Sequence, residues 1–211
     1  MTAVIHPLPA VLELRDLACA RGGRPLFEGL SLRLTAGEWL RVQGANGRGK
    51  TSLLRVLAGL LPAAGGQVLW RGRALPGLAT DCVYLGHAPA ITEALTPLEN
   101  LRWACELAGE PASAPQARAA LADAGLPGAL ADRPARSLSQ GQRRRCALAR
   151  LRLARHRPVW LLDEPFNALD DEGAHWLTDT VSNHLQNGGL AIVSSHQPTP
   201  LQARAHLAVA L

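Results

Sequence analysis

Residues 11–17 (Val-Leu-Glu-Leu-Arg-Asp-Leu) and 30–34 (Leu-Ser-Leu-Arg-Leu) place an apolar side chain at nearly every second position. That is the period of half-buried strands in an antiparallel sheet. Residues 67–73 (Gln-Val-Leu-Trp-Arg-Gly-Arg) continue in the same style, with a turn expected at Gly72. Two later runs differ: residues 158–162 (Pro-Val-Trp-Leu-Leu) and 190–195 (Leu-Ala-Ile-Val-Ser-Ser) are short, almost continuously apolar and flanked by helical sequence. This pattern predicts parallel strands covered on both faces. Between them, residues 171–186 have helical spacing and stop at Gly188-Gly189, a helix C-terminal signal. From about Ala94 to Leu126 alanine, leucine and charged residues recur at helical spacing, punctuated by Pro111, Pro115 and Pro127. The chain therefore reads as α/β, with a helical insertion between two strand-rich parts.

One further strand-like run, Trp-Leu-Arg-Val-Gln at 39–43, is separated from helix-like residues 52–58 by Gly44-Ala45-Asn46-Gly47-Arg48-Gly49-Lys50-Thr51, followed by Ser52. A glycine-rich turn between a strand and a helix is a phosphate cradle. Gly44, Gly47 and Gly49 let the backbone wrap closely, so that N–H groups and the helix N-terminus point at phosphate oxygens. Lys50 supplies a charge for the β- and γ-phosphates, and the Thr51 hydroxyl is placed to ligate Mg²⁺. These residues predict nucleoside triphosphate binding.

Two acids follow the apolar strand at Leu162-Asp163-Glu164-Pro165. Asp163 at the strand end can hold Mg²⁺, and Glu164 can orient or deprotonate an attacking water. His196 closes the next apolar run. In a parallel sheet ligands sit at the C-terminal strand ends, where His196 can donate to the γ-phosphate.

Between these halves stands Leu138-Ser139-Gln140-Gly141-Gln142, and after them Ala168-Leu169-Asp170. With Walker A before, Walker B after, a D-loop at Asp170 and a switch histidine at His196, nearly the whole chain resembles an ABC-type ATPase. The resemblance implies a P-loop NTPase fold of that type: a mixed central sheet with an antiparallel β subdomain and a helical subdomain. Residues 1–87 and 150–211 would form the RecA-like core with the β subdomain, and 88–149 the helical subdomain carrying the signature. It also implies ATP and Mg²⁺ as ligands and a head-to-tail homodimer, in which the signature of one subunit covers ATP held by the Walker A of the other. Ser139 and the Gly141 N–H would then present a helix N-terminus to the γ-phosphate. Two positions depart from the family pattern. Arg21 stands where many members stack an aromatic ring on adenine; a planar guanidinium can stack likewise. Ala88 stands where the Q-loop carries a glutamine beside Mg²⁺ and water; water, or the preceding His87, could take its part.

Leu26-Phe27-Glu28-Gly29-Leu30, Gly37-Glu38-Trp39, Tyr84-Leu85-Gly86-His87, Leu95-Thr96-Pro97-Leu98-Glu99-Asn100-Leu101 and Ser195-His196-Gln197-Pro198 narrow the match. They are similar to the ATP-binding subunit of the heme exporter of cytochrome c-type biogenesis. That resemblance implies membrane subunits of an ABC complex as partners, at the cytoplasmic face of the bacterial inner membrane. Their docking surface is expected near residues 87–100. It links ATP hydrolysis to release of heme-loaded chaperone. Two other readings stay open: a nucleic-acid-associated ABC ATPase, which usually carries two cassettes or a long coiled-coil insertion, and a non-catalytic nucleotide-binding module, which Ala88 favours and Lys50, Asp163, Glu164 and His196 oppose. A different small-cargo transporter ATPase is a further alternative.

Composition adds limits. The net charge of +5 over 211 residues is spread thinly, with Arg143-Arg144-Arg145 the one compact basic run. It reads as a solvated helix face, so nucleic acid is not expected as a partner. Cys19, Cys82, Cys105 and Cys146 are widely separated and read as core thiols of a reducing compartment. The five tryptophans read as core anchors. Residues 1–7 lack a signal-peptide pattern and no apolar run reaches the ~20 residues of a membrane span, so a cytoplasmic protein without direct membrane insertion is expected.

Overall fold

A computed structural model describes residues 11–196, Leu201 and residues 206–210. The expectations at residues 1–7 and at Gln197 and Pro198 lie outside them. The alternating segments form strands β1 (Val11–Arg21) and β2 (Arg24–Thr35), paired antiparallel with Leu12 opposite Leu34 and Leu14 opposite Leu32. Strands β4 (Gly65–Trp70) and β5 (Arg73–Leu75) complete a four-stranded antiparallel sheet in the order β2-β1-β4-β5. The expected turn at Gly72 joins the last two.

The continuous apolar runs form a second sheet. Strands β3 (Trp39–Gln43), β6 (Cys82–Leu85), β7 (Val159–Asp163), β8 (Leu190–Ser194) and β9 (His206–Ala210) lie in the order β6-β7-β8-β3-β9, every pair parallel. The mixture of strand directions in the fold is thus divided between two sheets. All five residues of β7 and of β8 are buried, which explains why neither strand alternates in sequence.

Helix α1 (Lys50–Leu57) lies between the sheets, with Leu53, Leu54, Val56 and Leu57 fully buried in the same core as Leu12, Leu14, Leu40, Leu161 and Ile192. The opposite face of the parallel sheet is covered by α6 (Asp171–Gln186) through Leu177, Val181 and Leu185. Its bounds are those the periodicity predicts: Asn187 caps it, and Gly188 adopts φ 84°, the left-handed geometry of the residue beyond a cap. The His184 ring stacks on Trp160 with centroids 3.8 Å apart. Burial of this imidazole pushes its pKa down to about 4.

The helical stretch resolves into α2 (Pro97–Leu107) and α3 (Ala114–Asp123), followed by α4 (Gln140–Leu148) and the short α5 (Arg150–Leu153). Thr96 with Glu99, Ser113 with Gln116 and Ser139 with Gln142 each form a reciprocal capping box, satisfying two main-chain donors at each helix start. These helices enclose a third core of Leu101, Cys105, Leu121, Leu126 and Cys146. All four cysteines are buried and free, as expected of core thiols.

Two expectations fail here. Trp39, Trp70 and Trp160 are core residues, but Trp103 is 61% exposed, because α2 turns Leu101 and Cys105 inward and Trp103 outward. Arg144 and Arg145 do not lie on a solvated face: they are 4% and 6% exposed. The Arg144 head donates to five carbonyls of neighbouring loops and Arg145 pairs with Asp170 and Glu172, so their long stems can be buried.

Candidate functional site

The turns after β3, β6, β7 and β8 leave the parallel sheet at the same edge, because parallel strands share their C-terminal ends. The strand order sets β8 between β7 and β3, so the acids after β7, His196 after β8 and the glycine-rich loop after β3 are neighbours there. Together they enclose a cavity of about 540 Å³ lined by Asn46, Gly47, Gly49, Lys50, Thr51, Ser52, Asp163, Glu164, His196 and, from β1, Arg21. Residues separated by up to 175 positions are thereby collected, while Gly44, Ala45 and Arg48 of the glycine-rich loop do not line the cavity. Leu26, Arg55, His87 and Asn167 line the same cavity and carried no cavity role in the sequence reading except His87.

The loop owes its shape to glycine: φ is 143° at Gly44, 82° at Gly47 and 107° at Gly49, values that a side chain disfavours. Lys50 Nζ donates to the carbonyls of Gly44 at 2.7 Å and Ala45 at 3.2 Å. Its ammonium is thus drawn across the loop, 7% exposed, and Arg48 closes the turn through its N–H to the Ala45 carbonyl. The first turn of α1 holds no acidic residue, which leaves its positive end open to an anion.

Thr51 Oγ1 donates to Asp163 Oδ2 at 2.8 Å, and Ser194 Oγ donates to Asp163 Oδ1 at 2.6 Å. Two adjacent ligands on a Mg²⁺ octahedron stand about 2.9 Å apart, so the Thr51 and Asp163 oxygens fit one such ion. Among the described residues no group of three or more His, Cys, Asp or Glu could hold a metal. A cation here would draw its remaining ligands from phosphate and water, as Mg²⁺ commonly does. Ser194 also accepts from the Glu164 N–H at 2.9 Å. It received no role from the sequence; its register opposite Asp163 is the signal. Glu164 has φ 49°, left-handed and costly for a residue with a side chain. Its Oε2 lies 3.0 Å from His196 Nδ1.

The signature residues lie elsewhere. Ser139 caps α4, accepting from the Gln142 N–H at 3.2 Å, while Gln142 Oε1 accepts from the Ser139 N–H. With Gly141, Gln142, Arg145, Ala168 and Asp170 they line a second cavity of about 360 Å³ that shares no residue with the first. Leu138 is buried and Gln140 exposed, and neither lines either cavity. A Cβ on Gly141 would stand 2.6 Å from the Ala168 carbonyl, so this position must be glycine for the two loops to meet. Asp170 caps α6 through the Gly173 N–H and pairs with Arg145. The Arg145 hydrogen bond, then that from Gly173, holds its carboxyl below the usual range. On the loop after β6, His87 lines the first cavity. Ala88 instead lines a separate pocket of about 110 Å³ with Tyr84, Ile91 and Asn100.

Residues 27–167 match the ABC transporter family. The chain belongs to the ABC transporter family. Its activity is that of an ABC-type ATPase, and its fold is the corresponding P-loop cassette. The chain is 49% identical to the cytochrome c biogenesis ATP-binding export protein CcmA of Dechloromonas aromatica, covering 92% of this chain and 96% of that one. It is 50% identical to the protein of the same name from Methylococcus capsulatus, covering 89% and 91%. Among solved structures, an ABC transporter ATP-binding protein of Pyrococcus furiosus superposes with a TM-score of 0.79 at 22% identity, covering 94% and 96%. A bacterial ABC transporter cassette solved as a dimer superposes at 0.76 with 22% identity, covering 88% of each chain. No helix among the described residues is long and apolar enough to cross a membrane.

Proposed function

We propose that this ABC ATPase powers the heme-export or heme-chaperone-release step of cytochrome c biogenesis, bound to membrane subunits at the cytoplasmic face of the bacterial inner membrane. Support for the cargo and partners comes from relatives named as cytochrome c biogenesis export proteins, which align along nine-tenths of the chain. Support for the chemistry comes from one observation: Lys50, Thr51, Asp163, Glu164 and His196 converge on a single cavity.

In this reading residues 44–52 cradle the triphosphate through main-chain N–H groups, and Lys50 exchanges its loop carbonyls for phosphate oxygens. Arg21 stacks on adenine. Thr51 and Asp163 hold Mg²⁺, which when bound neutralises charge on the β- and γ-phosphates. Glu164 takes a proton from the attacking water. A bond forms between that oxygen and the γ-phosphorus as the bond to the bridging oxygen breaks, leaving ADP and phosphate. His196, fixed through Nδ1 by Glu164, offers its other nitrogen to the γ-phosphate. His87 rather than Ala88 supplies the polar group of the loop after β6. Residues 88–149 act as a helical subdomain whose signature, residues 138–142, together with Asp170, closes over ATP in a second copy of the chain. The separation of the two cavities supports this arrangement.

The test is a strain lacking this chain. It should lose mature cytochrome c and regain it with the wild-type chain but not with Glu164→Gln, and the tagged chain should co-purify with two membrane subunits. Normal cytochrome c in the deletion strain would remove the cargo assignment.

A further inference from the structure

Arg144 spends its whole hydrogen-bonding capacity on main chain. Nε donates to the Pro165 carbonyl at 3.3 Å, Nη1 to those of Gly86 at 2.9 Å and His87 at 3.1 Å, and Nη2 to those of Asp163 and Glu164, each at 2.8 Å. A guanidinium has five N–H groups, and all five are used. The head is buried, which works against its charge, while the Asp163 and Glu164 carboxylates favour it.

The acceptors have a pattern. The carbonyls of Asp163 and Glu164 belong to the two peptide planes that flank the Glu164 Cα, so fixing both fixes φ and ψ of that residue. Its φ is 49°, a conformation that persists only where the surroundings impose it. Ser194 holds the same peptide from the opposite side, through the Glu164 N–H. Of the remaining acceptors, Pro165 follows Glu164 directly, and Gly86 and His87 lie on the loop after β6. Arg144 itself belongs to α4, five residues beyond Ser139, whose turn lines the second cavity. One side chain therefore bolts the helix that begins at the signature to both the Glu164 backbone and the loop carrying His87.

We propose that Arg144 is a positioning residue for hydrolysis: it imposes the left-handed backbone that aims the Glu164 carboxylate, and it transmits displacement of the signature helix to that carboxylate. This rests on Glu164 as the group that handles water. Lysine can replace it only in part, since a single ammonium with three donors does not span two loops as a planar fork does.

The experiment uses the full-length chain with Arg144→Lys and Arg144→Met, each also combined with Glu164→Gln. ATP-binding sites are titrated first and turnover is expressed per titrated site, so that a loss of folded protein does not count as a loss of rate. The expected result is a fall in kcat per site of about 10²-fold for Arg144→Met, a smaller fall for Arg144→Lys, and KM and ATP affinity within about threefold of wild type. In the Glu164→Gln background the Arg144 substitutions should add no further loss, since they act through that carboxylate. Wild-type kcat per site in both single variants would overturn the proposal. So would a KM that rises in step with the loss, an undiminished further loss in the Glu164→Gln background, or chains with no titratable sites, which would make Arg144 a support of the fold alone. An independent defect in Glu164 itself is read separately: if Glu164→Gln alone hydrolyses ATP normally, it is the role of Glu164 that fails.

Discussion

Glu164 Oε2 and His196 Nδ1 stand 3.0 Å apart across the ends of two neighbouring strands, with Glu164 buried and the His196 side chain 45% exposed. Nδ1 faces the carboxylate, so Nε2 is the ring nitrogen left for a phosphate oxygen. In the proposed mechanism this carboxylate handles water and orients the imidazole beside it. Glu164→Gln should keep ATP affinity within about threefold and lower turnover by about 10²-fold or more, with an ATP-bound dimer accumulating. His196→Ala should bind ATP equally well and lose turnover too. Equilibrium binding of a fluorescent ATP analogue beside phosphate release separates the two effects, and equal turnover in wild type and Glu164→Gln would falsify the role given to this carboxylate.

The two cavities allow a complementation test. Lys50→Ala should fail to bind ATP, because it removes the ammonium drawn across the loop, whereas Ser139→Arg should bind ATP as a monomer and fail to hydrolyse it. Mixing the two inactive chains should restore turnover, since the pair contains one site with an intact Walker A from the Ser139→Arg chain and an intact signature from the Lys50→Ala chain. A mixture that stays inactive, or a Ser139→Arg monomer that no longer binds ATP, would assign the signature to the nucleotide of its own subunit.

Gly141→Ala forces a methyl group to within 2.6 Å of the Ala168 carbonyl. Either α4 or the loop before Asp170 must shift, at a cost of about 1–3 kcal/mol. Urea unfolding should register that loss, and hydrolysis should fall while ATP binding to residues 44–52 persists. Full wild-type stability would mean that these two loops do not meet in solution.

The legible parts of this molecule are those whose geometry is written locally. Three glycines with positive φ and a following lysine and threonine specify a phosphate loop within eight residues, and the apolar strand ending in Asp163-Glu164 specifies where the acids emerge. Strand β7 was recognisable as parallel because both its faces are covered. Arg144 was not legible, because its partners are carbonyls 19 to 58 positions away, and a carbonyl has no residue identity to read. Sequence makes a run of three arginines look like a hydrated surface; only packing reveals two of them as internal. Ser194 was hidden for a related reason, since its meaning depends on the register that sets it opposite Asp163. Trp103 misled in the opposite direction: its size argued for burial, and the rotation of α2 decided otherwise.

His184 gives the fold a measurable acid dependence. Its imidazole is buried against Trp160 with a pKa near 4, below the ~6.5 of an unfolded chain. Between these values the unfolded chain binds the extra proton, so stability rises with pH. The contribution is fully present above about pH 6.5 and is lost as pH falls to about 4. The difference corresponds to about 3 kcal/mol. Urea unfolding of wild type and His184→Phe at a series of pH values should show the wild-type curve falling by roughly that amount more than the variant between pH 6.5 and 4. Parallel curves would mean that the imidazole titrates normally in the folded chain.

Membrane association should depend on the membrane subunits. Among the described residues no helix is long and apolar enough to cross a membrane; the proposed attachment runs through a partner, and the rival explanation is the net positive charge. The surface near residues 87–100 contains two carboxylates with structural duties: Glu93 pairs with Arg143, and Glu99 closes the capping box at the start of α2. Substituting either would disturb the fold along with any docking. Trp103 and Leu107, four residues apart on the outer side of the same helix, are 61% and 79% exposed. Trp103→Ser with Leu107→Ser should therefore release the chain from membranes that contain its subunits, with basal ATPase within about twofold, because neither residue lines the ATP cavity. Fractionation of cells with and without those subunits gives the control. If the chain pelleted with membranes in their absence and moderate salt removed it, attraction between its +5 charge and anionic lipid would replace subunit docking as the explanation.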